Sequence, residues 1–293
     1  MTLASSFLQD RNFLDVLYIV AFALFIQGLR GLSGPTTAVR GNRIAAVGMA
    51  VAVVATLLNR SEGNWGLIVL GVALGTAVGV PAARQVKMTA MPQMVALFNG
   101  VGGGAVFLIS WAEFRLTDGF ANTPTYVAVF SLFAAIVGSV SFWGSNIAFG
   151  KLQEIIPGRP ISFGSAQQIV NLVLLILAVA AGVDIAAGSH SEAIFIGLLV
   201  CSALLGNAVV LPIGGADMPV VISLLNAFTG LSAAATGMSA PPIGSTTKLP
   251  RTPAAISSTM ISSSECEPAT IATAQATATR SSTRFSSCWV RPG

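Results

Sequence analysis

Eight apolar runs constrain the fold of this chain more than any other feature. They cover roughly residues 13–29, 44–59, 65–81, 92–111, 125–149, 168–187, 193–211 and 219–238. A helix needs about 20 apolar residues to cross a bilayer. Since lipid offers the backbone no hydrogen-bond partners, each span must be helical. The sequence predicts an all-α fold, a polytopic transmembrane bundle of about eight helices.

The composition agrees with a membrane protein. Of the 293 residues 54% are hydrophobic and 9% charged, whereas a soluble domain has about 25% charged residues. The net charge of +4 is spread between apolar runs, which does not favour nucleic-acid binding. Cys201, Cys266 and Cys288 lack metal-binding spacing, and the single His190 is interpreted as a loop residue. We therefore expect no metal site.

Basic residues in the short loops predict the orientation. The first, third and fifth loops hold seven: Arg30, Arg40, Arg43, Arg84, Lys87, Lys151 and Arg159. The N-terminal segment and the second, fourth and sixth loops hold three: Arg11, Arg60 and Arg115. We expect the odd loops in the cytoplasm and the N-terminus outside. Spans four and eight then start on the same side and run parallel.

Spans four and eight repeat one plan. Each begins with a Met-Pro pair, and an asparagine follows seven residues after the proline: Asn99 after Pro92, and Asn226 after Pro219. Proline suits the first turn of a helix. At 1.5 Å per residue, each amide lies about 10 Å inside its helix. The repeat predicts two amides at matched depth.

Small residues recur at every fourth position in three spans, which lets helix backbones approach closely in lipid. They are Gly71, Gly75 and Gly79 in span three, Gly100 and Gly104 in span four, and Ser141 and Ser145 in span five. We expect tight helix contacts there, although chance explains any single pair. Residues 100–105 also fit a dinucleotide-binding pattern, but inside a span they do not follow a strand.

No charged side chain is expected deep in a span, and Asp15 and Asp217 are placed at helix ends. Amides and hydroxyls remain at depth: Asn99, Ser145, Asn146, Asn171, Asn207, Ser223, Asn226 and Thr229. They allow two interpretations. Asn99 and Asn226 line a wet polar track with Asp217 at its mouth, or each asparagine bonds a neighbouring helix while Asp217 caps one.

Four segments resemble the β subunit of the proton-translocating NAD(P) transhydrogenase. They are Gly41–Leu57, Val86–Gly103, Gly144–Leu152 and Gly214–Gly237, and the last, GGADMPVVISLLNAFTGLSAAATG, is the most specific. The resemblance runs in order from about residue 14 to 238. It implies a helix bundle that conducts protons, coupled to hydride transfer from NADH to NADP on separate soluble domains.

The resemblance also implies roles for four residues on the proton path. Asn226 matches a channel asparagine, Ser145 a channel-lining serine, and Asp217 a functional acid at the cytoplasmic end. Asn99 falls where some members carry histidine and others asparagine. With asparagine, a histidine relay is not possible, so water held by amides would carry the proton.

By the same resemblance, the complex uses NADP and NAD, and this chain binds neither. Its partners would be α subunits, the bilayer and protons, with the whole complex a homodimer in the inner or plasma membrane. Nothing after Thr236 resembles the family's further span and NADP-binding domain. We therefore expect the chain alone not to catalyse transhydrogenation.

The chain divides by composition into a transmembrane domain, 1–239, and a Ser-, Thr-, Ala- and Pro-rich tail, 240–293. The tail is expected to be disordered, or read in the wrong frame. Two other functions stay open. A small-solute transporter would use the parallel repeat around a midplane site, and a scaffold bundle would only anchor partners.

Overall fold

The computed structural model describes residues 11–58, 65–121, 123–162 and 164–239. These residues form eight α-helices, each long and apolar enough to cross a membrane. They are α1 (Arg11–Gly31), α2 (Ala38–Leu58), α3 (Trp65–Gln85), α4 (Met91–Leu116), α5 (Thr125–Leu152), α6 (Gln167–Ala186), α7 (Glu192–Val210) and α8 (Met218–Ser239). The all-α multi-pass prediction is confirmed. The tail and its boundary at residue 240 lie outside the described residues.

The helices α1 and α2 form one compact unit. Their backbones approach closely, since a Cβ placed on Gly28 would lie 2.9 Å from the Ala45 Cβ. The hydroxyls of Tyr18 and Thr56 lie 3.1 Å apart between the two helices. The pair is thus a hairpin held by small residues and one polar contact.

The second unit contains α3 to α8, and α5 is its central helix. The helix α5 packs against α4, α6, α7 and α8. Glycines allow two of these contacts. A Cβ on Gly103 would lie 2.8 Å from the Gly138 carbonyl oxygen, and one on Gly206 would lie 2.5 Å from the Val140 carbonyl oxygen. Backbone meets backbone at both places, as small residues permit in lipid.

The predicted parallel arrangement of the two Met-Pro helices is confirmed by their contacts with α5. Asn99 bonds Ser145, and Gly103 lies against Ser141 and Gly138, so α4 and α5 run antiparallel. Ser141 bonds the Leu225 carbonyl and Thr229, while Ala134 packs near Ala235, so α5 and α8 also run antiparallel. The helices α4 and α8 therefore point the same way.

The glycine pattern has a divided outcome. The glycines of α4 and the serines of α5 do meet, because a Cβ on Gly100 would lie 3.3 Å from the Ser145 Cβ. On α3 the expected close contact of the glycine face with another helix is not found among the described residues. No atom lies within 4 Å of a Cβ placed at Gly71, Gly75 or Gly79. Nothing on α3 is buried, so the described helices offer this face no partner.

Several helices extend beyond the predicted spans, α4 and α5 among them. The helix α4 reaches Leu116 rather than residue 111, and α5 reaches Leu152 rather than residue 149. The extensions bring Glu113 and Lys151 into helices. Both residues lie near helix ends rather than deep in a span, and Lys151, which the sequence placed in a loop, is only 2% exposed.

Candidate functional site

Three helices meet along one seam of small and polar side chains. On α4, α5 and α8 the facing residues recur with a spacing of three and four, which keeps one stripe of a helix against its neighbour. We call this the three-helix seam, and its polar members are Asn99, Ser110, Glu113, Ser131, Ser141, Ser145, Thr229, Ser232, Thr236 and Ser239. Except for the half-buried Glu113, all of them are buried.

Asn99 is the centre of the first polar cluster in this seam. Its side chain is 6% exposed. Its Nδ2 donates to Ser145 Oγ at 2.8 Å and to Ser141 Oγ at 3.3 Å. The Ser141 hydroxyl lies 2.6 Å from Thr229 Oγ1 and donates to the Leu225 carbonyl at 2.9 Å. One amide and three hydroxyls thus link α4, α5 and α8. We call them the amide cluster.

The amide cluster does not satisfy all of its own polar atoms. Asn99 Oδ1 is buried and has no hydrogen-bond partner among the described residues. Rotating the amide by half a turn would exchange its oxygen and nitrogen and leave the nitrogen unpaired instead. An unpaired polar atom in an apolar interior costs free energy, and buried water is the usual partner. The amide cluster therefore keeps one buried acceptor without a partner among the described residues.

Two further unpaired atoms lie on the same pair of helices. Gln93, at the start of α4, donates through Nε2 to the Leu152 carbonyl at 3.1 Å while its Oε1 is buried without a partner. Ser131 Oγ, near the start of α5, is fully buried and also unpaired within the described residues. Since α4 and α5 are antiparallel, Gln93, Asn99 and Ser131 mark one end, the interior and the other end of their interface.

An apolar layer separates the amide cluster from the far end of the seam. It consists of the buried side chains Val106, Ile109, Ala134 and Ala235. The hydroxyls at this level are satisfied by their own helices, as Ser110 donates to the Val106 carbonyl and Thr236 to the Ser232 carbonyl. The seam thus has its amide cluster toward one end and Glu113 toward the other, with apolar side chains between them.

The four predicted path residues are not gathered into one site. The structure brings Asn99 and Ser145 together, as described. Asn226 is half-buried, and its side chain makes no hydrogen bond to a described residue. Asp217 is exposed in the short 3₁₀ helix Gly215–Asp217, directly before α8, with no ion pair in the described chain. On α8 it is Thr229, not Asn226, that faces the amide cluster.

Pattern reading did not single out Glu113 or Lys151 for function. Ser239 Oγ donates to Glu113 Oε2 at 3.3 Å, which joins the far ends of α4 and α8. Lys151 Nζ donates to the Ile213 carbonyl at 2.7 Å and to the Leu211 carbonyl. For Glu113 the sequence did contain a signal. It lies fourteen residues after Asn99, which is two full heptads along the same stripe of the helix.

Other polar predictions fall elsewhere. Asn171 accepts a hydrogen bond from Gln167 at 3.3 Å, within α6. His190 lies in the loop before α7, as predicted, with Nδ1 2.9 Å from the Gly119 carbonyl oxygen. The described residues contain no group of three His, Cys, Asp or Glu side chains able to hold a metal ion. Most of the buried polar side chains in the described part of the second unit lie in the three-helix seam.

These features define a multi-pass membrane protein whose helix bundle encloses a seam of amides and hydroxyls. The family model for the NAD(P) transhydrogenase beta subunit matches residues 14–241. Two Rhodospirillum rubrum sequences named NAD(P) transhydrogenase subunit beta are each 43% identical over 225 residues, covering 75% of this chain and 48% of theirs. The chain belongs to this family, and it spans about half the length of the curated relatives it matches.

Proposed function

We propose that this chain forms the proton-conducting membrane part of a proton-translocating NAD(P) transhydrogenase. In this proposal it lies in the inner or plasma membrane with its N-terminus outside. It works with an α subunit in a homodimeric complex. Hydride passes from NADH to NADP on soluble nucleotide-binding domains, and the described helices supply the passage for protons.

The unpaired amide oxygen of Asn99 carries this proposal. A bundle that needed only stability would satisfy or remove a buried amide, because an unpaired polar atom costs about 1–3 kcal/mol. Here the same amide bonds the hydroxyls of Ser145 and Ser141, and the Ser141 hydroxyl lies 2.6 Å from that of Thr229. A hydroxyl can both donate and accept hydrogen bonds. Such a cluster binds a water molecule and lets it reorient, as proton transfer along a hydrogen-bonded chain requires.

Each predicted residue has a distinct role in this scheme. Asn99 and Ser145 hold water in the interior of the seam. Asn226, half-buried on α8, supplies a second amide at matched depth to the same path. Asp217, exposed just before α8, exchanges protons with the cytoplasm. An amide neither gains nor loses a proton at ordinary pH, so water must carry the charge.

Coupling to hydride transfer requires two states of the membrane part. NADP(H) bound elsewhere in the complex would shift the equilibrium toward the state that binds it more tightly. The size of the shift is set by the difference in its affinity for the two states. The apolar layer of Val106, Ile109, Ala134 and Ala235 is the element that would open to protons in one state and stay closed in the other. The proton gradient would supply the free energy that drives hydride from NADH to NADP.

The test is proton flux in liposomes that contain the purified full chain. A potassium diffusion potential drives protons across the membrane, and a pH-sensitive dye inside reports their entry. We expect Asn99→Leu to reduce the protein-dependent flux at least tenfold, because leucine removes both hydrogen bonds and the water site. Asn226→Leu should reduce it less, since Asn226 lies outside the amide cluster.

The matched control is Asn171→Leu, an amide on α6 whose described bond is to Gln167 in the same helix. Its flux should equal that of the unaltered chain. Equal flux in Asn99→Leu and Asn171→Leu would contradict the proposal. Flux that appears only with an added small solute would instead support a transporter. Co-purification with an α subunit tests the proposed partner separately.

A further inference from the structure

Glu113 is the one carboxylate that lies in the three-helix seam, among the described residues. It is half-buried on α4, three residues before the helix ends at Leu116. It lies fourteen residues beyond Asn99, which at 1.5 Å per residue is about 21 Å further along the helix. The amide cluster and Glu113 therefore occupy opposite sides of the apolar layer.

The surroundings of Glu113 hold its carboxylate without neutralising it. Ser239 Oγ donates to Oε2 at 3.3 Å from the last turn of α8. Ser131 on α5 interacts with the same carboxylate, yet its buried Oγ completes no hydrogen bond of ordinary geometry within the described residues. The neighbouring cation Arg115 is paired with Glu192 instead. Two hydroxyls, rather than a cation, face the acid.

We propose that Glu113 is the proton-exchange group at the non-cytoplasmic end of the seam, positioned by Ser131 and Ser239. The inference rests on the proposed function, because it assigns the second mouth of the same proton path. A carboxylate paired with a cation would stay charged, whereas one held by hydroxyls can alternate between charged and neutral forms. Acids within membrane-spanning helices commonly mark such relays.

The exchange itself is a balanced proton transfer. A carboxylate oxygen of Glu113 takes a proton from a protonated water molecule in the seam. The neutral acid later returns that proton to bulk water. The hydroxyl of Ser131 or Ser239 can donate to the charged form or accept from the neutral form, since a hydroxyl has one proton and two lone pairs. When Ser239 Oγ donates to the Thr236 carbonyl, 2.8 Å away, its oxygen is left to accept the hydrogen bond of the neutral acid.

Glu192 provides a matched control at the same end of the bundle. It is a carboxylate at the start of α7, its side chain is 45% exposed, and it pairs with Arg115. In the liposome assay, Glu113→Gln should lower proton flux at least tenfold while Glu192→Gln leaves it unchanged. Glu113→Asp should restore part of the flux, because it keeps the titrating group on a shorter stem.

A second measurement does not depend on the folding of a variant. A hydrophobic carbodiimide reacts with protonated carboxyl groups in apolar surroundings, and mass spectrometry of the unaltered chain locates the product. We expect modification at Glu113 rather than Glu192, with loss of flux in proportion. Modification of Glu192 alone, or full flux after Glu113 is modified, would overturn the inference.

The outcomes separate the inference from the proposed function. Flux that falls in Asn99→Leu but not in Glu113→Gln would remove Glu113 from the path and leave the path itself in place. No protein-dependent flux in the unaltered chain would overturn both. Reduced flux in Glu113→Gln with Glu192→Gln unchanged, together with partial rescue by Glu113→Asp, would support both.

Discussion

The helices α4 and α8 share a sequence plan but present different faces to α5. Both begin with a Met-Pro pair, and both carry an asparagine seven residues after the proline. Yet Asn99 is buried in the amide cluster and Asn226 is half-buried outside it. The position that α4 gives to Asn99 is held on α8 by Leu225 and Thr229. Equal spacing sets equal depth, but it does not set rotation about the helix axis.

The rotation follows from the stripe that each helix buries. The helix α4 lies against α5 through Gly100, Gly103 and Gly104, whose missing side chains let the backbones meet. On α8 the buried stripe runs through Ile222, Leu225 and Thr229 and onward to Ser239. Relative to the shared Met-Pro start, the two stripes differ by about one residue, or about 100°. Packing partners, rather than the repeat, decide where an amide points.

The largest expected effect tests whether the glycine face holds α4 in its orientation. Gly103→Val should destabilise the bundle by about 1–3 kcal/mol or more, because its Cβ would lie 2.8 Å from the Gly138 carbonyl oxygen and 2.9 Å from the Phe142 nitrogen. The control is Gly237→Val on α8, where no atom lies within 4 Å of the added Cβ. Unfolding in detergent, followed by circular dichroism, compares the two. Equal stability would show that α4 is not held by this contact.

An intermediate effect is expected when the two asparagines are compared for stability. Asn99→Leu removes two hydrogen bonds and leaves the Ser145 hydroxyl without its amide donor. Hydrogen bonds between membrane helices contribute about 0.6 kcal/mol on average and up to about 1.7. In the proposed function a bound water pairs the Asn99 oxygen, so removing that oxygen regains little stability. We therefore expect a loss of about 1 kcal/mol, with little change in Asn226→Leu. A loss of the same size in both variants would mean that the two helices are equivalent after all.

Much of the fold was predictable from the sequence for a physical reason. Lipid forces each long apolar run into a helix, so the eight spans and the parallel direction of α4 and α8 followed from length, hydropathy and their even positions. The helix ends were less predictable. The helix α4 includes Glu113, whose carboxylate accepts a hydrogen bond from the Ser239 hydroxyl. The helix α5 includes Lys151, whose ammonium group donates to the Ile213 carbonyl. Hydropathy alone does not predict such partners.

The candidate site was predictable in part. Asn99 and Ser145 were identified as path residues and do lie together, 2.8 Å apart. The importance of Thr229 could not be read from the repeat, because which face of α8 meets α5 depends on side chains of both helices. The face of Gly71, Gly75 and Gly79 has the spacing for close contact, but spacing does not say which helix lies opposite. Pairwise packing depends on the side chains of both helices, so the spacing along one helix does not determine it.

The smallest expected effect is the most direct test of which face of α8 lies against α5. Thr229→Val keeps the shape of the side chain and removes the hydroxyl that lies 2.6 Å from Ser141 Oγ. Alone it should cost about 0.6 kcal/mol, the typical value for a bond between membrane helices. Combined with Ser141→Ala in a double-mutant cycle, it should show coupling of similar size. The parallel cycle of Asn226→Leu with Ser141→Ala should show none. Coupling of Ser141 to Asn226 and not to Thr229 would mean that α8 is turned by one residue, so that the two amides face each other across the seam.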